Sequence, residues 1–430
     1  MNCPFNGYCR VFVLIFGVVF SALSAADLTV SGNTQTHFTD NANQEPEDSE
    51  DEIDQSLGLN VGYTHESKRY VADVDYTLSH NRYFKDVFQN ETNFTGIGTV
   101  NYHLLPTNFD WFASYQRDTF LNSSNVANTP SNRSSQAQWS TGPRYTYELT
   151  DSSIFLLSST YSESINGSAI GSDSRRVSSS VTFLHQINPV TDMSTKAEHV
   201  DVIEFENGEE YTQNNYSLGF TRTLKNGELD INVGYNRVAR DRSEDVNERS
   251  FDISFEHQVF SNTVTLRAIS EVTDSTVGLS VRDLIDSGLD NVETNFSQVD
   301  IVKRKRYEAE ISRELLGYGV ITLFGYRDDE DFVSQDQDER DTGASVAYDV
   351  FLSSATMFQV SVSRERTEFL SQPSFGENET TDYHMGLNIS HTERFSTAYD
   401  VSFAKRVNDV RKASEYEEIE AQISLNYQFL

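Results

Sequence analysis

The last eight residues, Ile423-Ser424-Leu425-Asn426-Tyr427-Gln428-Phe429-Leu430, alternate apolar and polar side chains and stop at an aromatic one residue from the end. A period of two describes a strand with one apolar and one wet face. Lipid on one side and a watery lumen on the other is the environment of a strand in a bacterial outer-membrane β-barrel, where a terminal aromatic sits in the interfacial girdle. Tyr427 and Phe429 are therefore candidate parts of a C-terminal assembly signal. The pattern also changes the meaning of bulk composition. A chain that is 37% hydrophobic with a formal net charge of −33 reads as water-soluble on average. A barrel wall needs only every second residue to be apolar, so low mean hydropathy does not exclude a membrane.

Residues 1–25 have the organisation of a cleaved secretory signal: Arg10, then the mostly apolar Val11 to Leu23, then the small residues Ser24, Ala25 and Ala26. The apolar stretch is shorter than the ~20 residues that a spanning helix needs. Cys3 and Cys9, the only two cysteines, lie in this segment, which leaves residues 26–430 without disulfide or thiolate-metal chemistry. No later stretch is long and apolar enough for a transmembrane helix.

Residues 26–430 read as one barrel. In Leu229-Asp-Ile231-Asn-Val233-Gly-Tyr235 the odd residues are apolar and the even ones polar or glycine, and Phe251-Asp-Ile253-Ser-Phe255 and Tyr399-Asp-Val401-Ser-Phe403 repeat this. Abundant Tyr (21) and Phe (28) with scarce Pro (7) suit strands. Turn signals divide the chain into twenty strands, including 136–148, 298–314 and 380–391. The first (27–38) and thirteenth (262–274) have the weakest patterning, which leaves 18 open. Tight turns alternate with longer polar segments such as 39–53, 121–135, 275–297 and 369–379. This is the up-and-down plan of an all-β transmembrane barrel, short periplasmic turns and longer outer loops, and it places both termini in the periplasm.

The acidic runs Glu45–Asp54 and Asp328–Asp331 read as solvated loop or strand-tip surface. Divalent-cation bridging to lipopolysaccharide phosphate is the functional alternative. Such acidity excludes nucleic acid as a partner. Arg304, Arg306, Arg313, Arg364 and Arg366 fall within strands and are expected on the lumen side or at strand tips, since a mid-wall lipid-facing arginine is costly. Excess acid predicts a cation-preferring lumen. The nine histidines are scattered, with no metal-binding pair, no nucleophile elbow and no phosphate loop, so the reading is of a non-enzyme without cofactor or metal.

The most distinctive stretch is Thr129-Pro130-Ser131-Asn132-Arg133, followed by Trp139-Ser140-Thr141-Gly142-Pro143-Arg144-Tyr145 and preceded by Trp111 to Phe120. Over about 108–150 it resembles the signature of the PEP-CTERM system-associated outer-membrane proteins, barrels found beside exosortase and exopolysaccharide gene clusters. The resemblance implies an outer-membrane location and a link to extracellular polysaccharide or sorted surface proteins. Pro130 and Gly142-Pro143 punctuate the chain as turns do. The signature residues Thr129, Pro130, Asn132, Arg133, Trp139, Gly142 and Pro143 are thus expected in an outer loop, rigid on the rim or folded into the lumen. Trp111, Trp139 and Tyr145 are the candidate aromatic contacts to a glycan.

Three functions follow: an outer-membrane conduit or accessory for exopolysaccharide or surface-protein export, a general diffusion porin, or a non-transporting adhesive barrel. Expected partners are outer-membrane lipids and lipopolysaccharide, the barrel assembly machinery, and exopolysaccharide or its export proteins. A porin should carry an inward loop that narrows the pore.

Overall fold

The computed structural model describes residues 27–47, 49–121, 129–166, 173–204, 210–241, 244–274, 301–315, 317–333 and 338–430. The signal segment 1–25 and the connection 275–297 lie outside them. Twenty strands follow in chain order: β1 (Asp27–Thr39), β2 (Glu52–Glu66), β3 (Tyr70–Tyr83), β4 (Glu91–Leu105), β5 (Phe109–Leu121), β6 (Arg133–Thr150), β7 (Ser153–Asn166), β8 (Ser174–Asn188), β9 (Thr191–Glu204), β10 (Glu210–Leu224), β11 (Gly227–Arg240), β12 (Val246–Val259), β13 (Asn262–Asp274), β14 (Ile301–Glu314), β15 (Gly319–Phe332), β16 (Glu339–Ser353), β17 (Thr356–Phe369), β18 (Glu377–Ser390), β19 (Phe395–Asn408) and β20 (Tyr416–Gln428). Each pairs antiparallel with its neighbours, and β1 closes the cylinder on β20 from Ser31↔Gln428 to Thr39↔Glu420. Closure leaves no sheet edge and pairs the backbone within the wall, as lipid requires. The twenty-strand count holds, and the weakly patterned first strand is the one that closes the barrel.

Register decides which residues face out. One row of cross-strand partners runs Ile311–Leu323–Val346–Val362–Tyr383–Phe403–Ile419 across β14 to β20. Leu323, Val346, Tyr383 and Ile419 in it are 45–49% exposed. Apolar rows continue toward the short-turn rim, through Val360, Met385 and Val401, then Phe358, Leu387, Tyr399 and Ile423. In water this surface would cost about 25 cal/mol per Å²; against lipid tails it costs nothing. The alternate residues form a polar inner face. Among the described residues no helix is long and apolar enough to cross a membrane.

Tyr427 and Phe429 lie on the outer face at the short-turn rim, 44% and 50% exposed, with rings 5.0 Å apart. The Phe429 N–H donates to the Val30 carbonyl at 2.7 Å, so the C-terminal aromatic is part of the seam.

Some strands are longer than alternation shows. β6 starts at Arg133 because Ser134, Ser135 and Gln136, which lack any apolar alternation, pair with Phe120, Thr119 and Asp118 of β5. β18 starts at Glu377 through pairing with Glu368.

Candidate functional site

The inner face has two unlike walls. On β5 to β8 it presents hydroxyls and amides. Ser114 and Ser140 share a hydrogen bond at 2.6 Å, Ser158 and Ser180 one at 2.8 Å, and Gln136 donates to Ser164 at 2.6 Å. Opposite, β14 to β20 present carboxylates. Asp341 accepts from Thr367 at 2.6 Å, Glu365 from Tyr326 at 2.8 Å, Asp382 from Ser363 at 3.4 Å and Glu420 from Ser402 at 2.8 Å. Onward, His37 lies 2.8 Å from Asp54 and 3.5 Å from Glu420.

The two walls are separated by a break in the sheet. The β12–β13 ladder ends at Phe251↔Ser270, although β12 runs back to Val246 and β13 on to Asp274. The β13–β14 ladder meanwhile continues to Asp274↔Ile301. Beyond Ser270 this hairpin leaves the wall and tucks inside the barrel at the long-loop end. Val272 and Ile301 pack with Val200 and Val202 of β9, Tyr211 of β10, Val238 of β11 and Val246 of β12 in one buried cluster. The register places all five of those wall residues on the lumen side, where the neighbouring positions are polar. The Gln213 side chain, also lumen-facing, donates to the Val272 carbonyl at 3.1 Å across two intervening strands. An apolar patch inside a wet lumen would be exposed without the hairpin; with it, Val202 and Val238 are 1% and 0% exposed.

Ionic contacts fix the root of the hairpin. Arg304 of β14, on the lumen face and only 5% exposed at its side chain, donates to both Asp328 oxygens from Nε at 3.1 and 2.9 Å and from Nη2 at 2.6 Å. Glu330 lies 3.7 Å from Nε and Glu271 of β13 4.0 Å from Nη1. Arg306 reaches Asp328 at 3.3 Å and places its guanidinium 5.2 Å from the Tyr326 ring centroid. A buried carboxylate with a bidentate guanidinium is held in one geometry.

Arg304 and Arg306 are thus on the lumen side, as expected. Arg364, Arg366 and Arg313 take the other expected place, toward strand tips: Arg364 and Arg366 face outward on β17, one and two register steps beyond the apolar row, and Arg313 faces outward near the short-turn rim. The run Asp328–Asp331 stands at the long-loop tip of β15, with Asp328 and Glu330 inward and Asp329 and Asp331 outward, and Asp328 departs from the solvated reading because it is buried. Within Glu45–Asp54, Glu52 departs from the solvated reading. It is 1% exposed and accepts the backbone N–H groups of Ile53, Phe84, Lys85 and Val87 at 2.8 to 3.1 Å, pinning the β3–β4 connection. Beside it Lys85 pairs with Asp51 and holds that carboxyl below its usual range.

The signature does not form one loop. Thr129 to Asn132 make a rim turn, with Pro130 opening a short 3-10 segment and the Asn132 N–H donating to the Thr129 carbonyl at 2.9 Å. Arg133 begins β6, and Trp139, Gly142, Pro143 and Tyr145 lie inside it. The Gly-Pro pair is a strand device. Pairing of β6 with β7 skips Gly142 and Pro143, where proline has no N–H to give, while β5 pairs with both. A β-carbon at Gly142 would collide with the Ser159 carbonyl oxygen, so the backbones approach there as only glycine allows.

Trp111, Trp139 and Tyr145 all face outward, where they meet lipid and not the lumen. The Trp111 Nε1 donates to Thr141 at 2.9 Å, Tyr145 lies 6.4 Å from Phe109, and Trp139 lies 5.1 Å from Tyr161. Aromatics so placed suit the membrane boundary. The inward element is β13–β14, which sequence reasoning missed. Its signal was present: Val200, Val202, Val238 and Val246 occupy the wet phase of their strands.

No protein-family model and no curated protein matches the sequence. Solved structures similar to it include a loop-deletion mutant of OmpT, an outer membrane protein of Vibrio cholerae, with 12% identity and a TM-score of 0.38 over 94% of this chain and 100% of that one. Another is the ferric-catecholate import receptor Fiu of E. coli K12, with 8% identity and a TM-score of 0.48 over 94% and 82%. A third is OccK2 of Pseudomonas aeruginosa, with 11% identity and a TM-score of 0.44 over 94% and 98%. The location rests on the molecule itself: a closed antiparallel wall with apolar rows outside and polar rows inside. This is a bacterial outer-membrane β-barrel.

Proposed function

We propose that the barrel is a channel for small polar solutes, with a preference for cations and a mouth narrowed by the β13–β14 hairpin. The observation that carries this reading is the Val272–Ile301 end of the hairpin packed on the lumen faces of β9 to β12. About twenty strands enclose a lumen wider than their side chains fill, so an inward element sets the passage. The carboxylates of β14 to β20 give the lumen its sign. The test is solute uptake by proteoliposomes across a size series of uncharged sugars. Uptake with a sharp size limit supports the channel; no uptake by a demonstrably folded barrel contradicts it.

The link to exopolysaccharide or PEP-CTERM surface-protein export, as conduit or accessory, is the second reading. It is favoured by the rim turn at Thr129–Asn132, the part of the signature at the long-loop mouth. Deleting the barrel in the native host and measuring surface polysaccharide and anchored proteins tests it. A normal surface would count against it.

A further inference from the structure

The β12–β13 ladder stops at Phe251↔Ser270, where the apolar band also ends: Lys305 stands outward beside Ser270, and Arg249 is the next outward residue on β12. Lower down, an open ladder would leave backbone groups in lipid; at this height water can serve them, so the sheet can part here. Beyond the break Val246–Ser250 pair with β11 and Glu271–Asp274 with β14. Continued at its own register, the ladder would set Ser250 opposite Glu271, Arg249 opposite Val272, Glu248 opposite Thr273 and Asn247 opposite Asp274. That register keeps the phase of the wall. Ser250, Glu248, Glu271 and Thr273 would line the lumen, with Arg249, Asn247, Val272 and Asp274 outward. The hairpin therefore fits two places. Tucked, Val272 and Ile301 cover the lumen valines and are 5% and 2% exposed, and Gln213 holds the Val272 carbonyl. Zipped into the wall, the same face looks outward beside Arg249 and Lys303, and backbone pairing replaces the apolar contacts. The two places differ by a shift from an inner layer into the sheet, with no rotation about the strand axis.

We propose that the β13–β14 hairpin is a two-position gate: it leaves the lumen by completing the β12–β13 ladder to Asn247↔Asp274, and the passage widens when it does. The widening rests on the channel reading; the geometry rests on the register. A hairpin fixed in the lumen, and one that merely swings free, are the competing accounts.

The test is disulfide trapping in the folded barrel in lipid, since residues 26–430 contain no cysteine. In the zipped position the pair R249C/V272C lies directly opposite, with about 4.5–5.5 Å between Cα atoms, within disulfide reach. In the tucked position the two stand on opposite sides of the wall. The control Y235C/V272C lies one strand farther, about 10 Å apart when zipped. R249C/V272C should oxidise and the control should not. V238A removes methyl groups that the tucked hairpin buries, and should speed the crosslink by about tenfold. The oxidised barrel should pass larger single-channel steps than the reduced one. No crosslink in a demonstrably folded barrel, equal crosslinking of both pairs, or steps unchanged by oxidation overturns the proposal. Should V272C disturb folding, N247C/D274C leaves the buried cluster intact and is read the same way. Crosslinking is read without transport, so a barrel that crosslinks but conducts in neither state contradicts the channel reading and supports the two positions of the hairpin.

Discussion

The walls β5–β8 and β14–β20 are built on the same backbone plan and differ in almost every inward side chain. Both are antiparallel, in register and apolar outside. Inside, the first is mostly hydroxyls and amides, with Asp118, Arg144 and Arg176 among them, and the second a field of carboxylates with the buried Arg304 and the half-buried Arg306 at its edge. The outward residues that satisfy lipid determine that there is a barrel. The inward residues are free of that demand and carry what distinguishes one lumen from another. The same division holds at the seam between the walls, where inward valines recruit a hairpin that a uniform polar lining would leave in the wall.

The largest expected effect is on the charged wall. Arg304→Ala leaves Asp328 buried without its bidentate partner and should cost about 3–5 kcal/mol, read by urea unfolding in lipid. Ser140→Ala, on the neutral wall, should cost about 1 kcal/mol or less. Equal costs would erase the contrast. Next is a test of facing within one strand. Val401→Arg puts a charge among the apolar rows and should cost about 2–4 kcal/mol. Its neighbour Ser402→Arg points into the lumen and should leave folding close to wild type while lowering cation preference. Gly142→Ala, at the close approach to Ser159, should cost about 1–3 kcal/mol through overpacking, with the same unfolding readout. The smallest effect is functional. D341N/E365Q/D382N should shift the reversal potential in a salt gradient toward neutrality, whereas S140A/S158A should not move it.

Much of this was legible in the sequence. Strict alternation, as in Leu229–Tyr235 and Tyr399–Phe403, marks strands that cross lipid, because only there does every second side chain have to be apolar. The strand count and the lumen placement of Arg304 and Arg306 follow from that logic. Alternation falls silent above the membrane, so the Arg133–Gln136 start of β6 was set by pairing with β5 and was not visible. Gly142-Pro143 read as a turn because local propensity cannot tell a loop from a gap in a ladder. Which arginines take the lumen and which, like Arg364 and Arg366, take an outward strand tip was unreadable for a different reason: a two-residue shift past the apolar row converts a costly position into a favourable one. The hairpin was written in the inward valines of β9, β11 and β12 and in Tyr211 of β10, a signal that exists only when four strands are compared at one level of the barrel.

The most direct test of the account is single-channel conductance in planar bilayers, comparing the wild type with V238D/V272D, which places two carboxylates where the hairpin packs on the wall. The account predicts discrete conductance steps for the wild type and larger steps for the variant, as the hairpin leaves the lumen. Steps of unchanged size from a variant that is demonstrably folded would contradict the claim that the β13–β14 hairpin sets the passage.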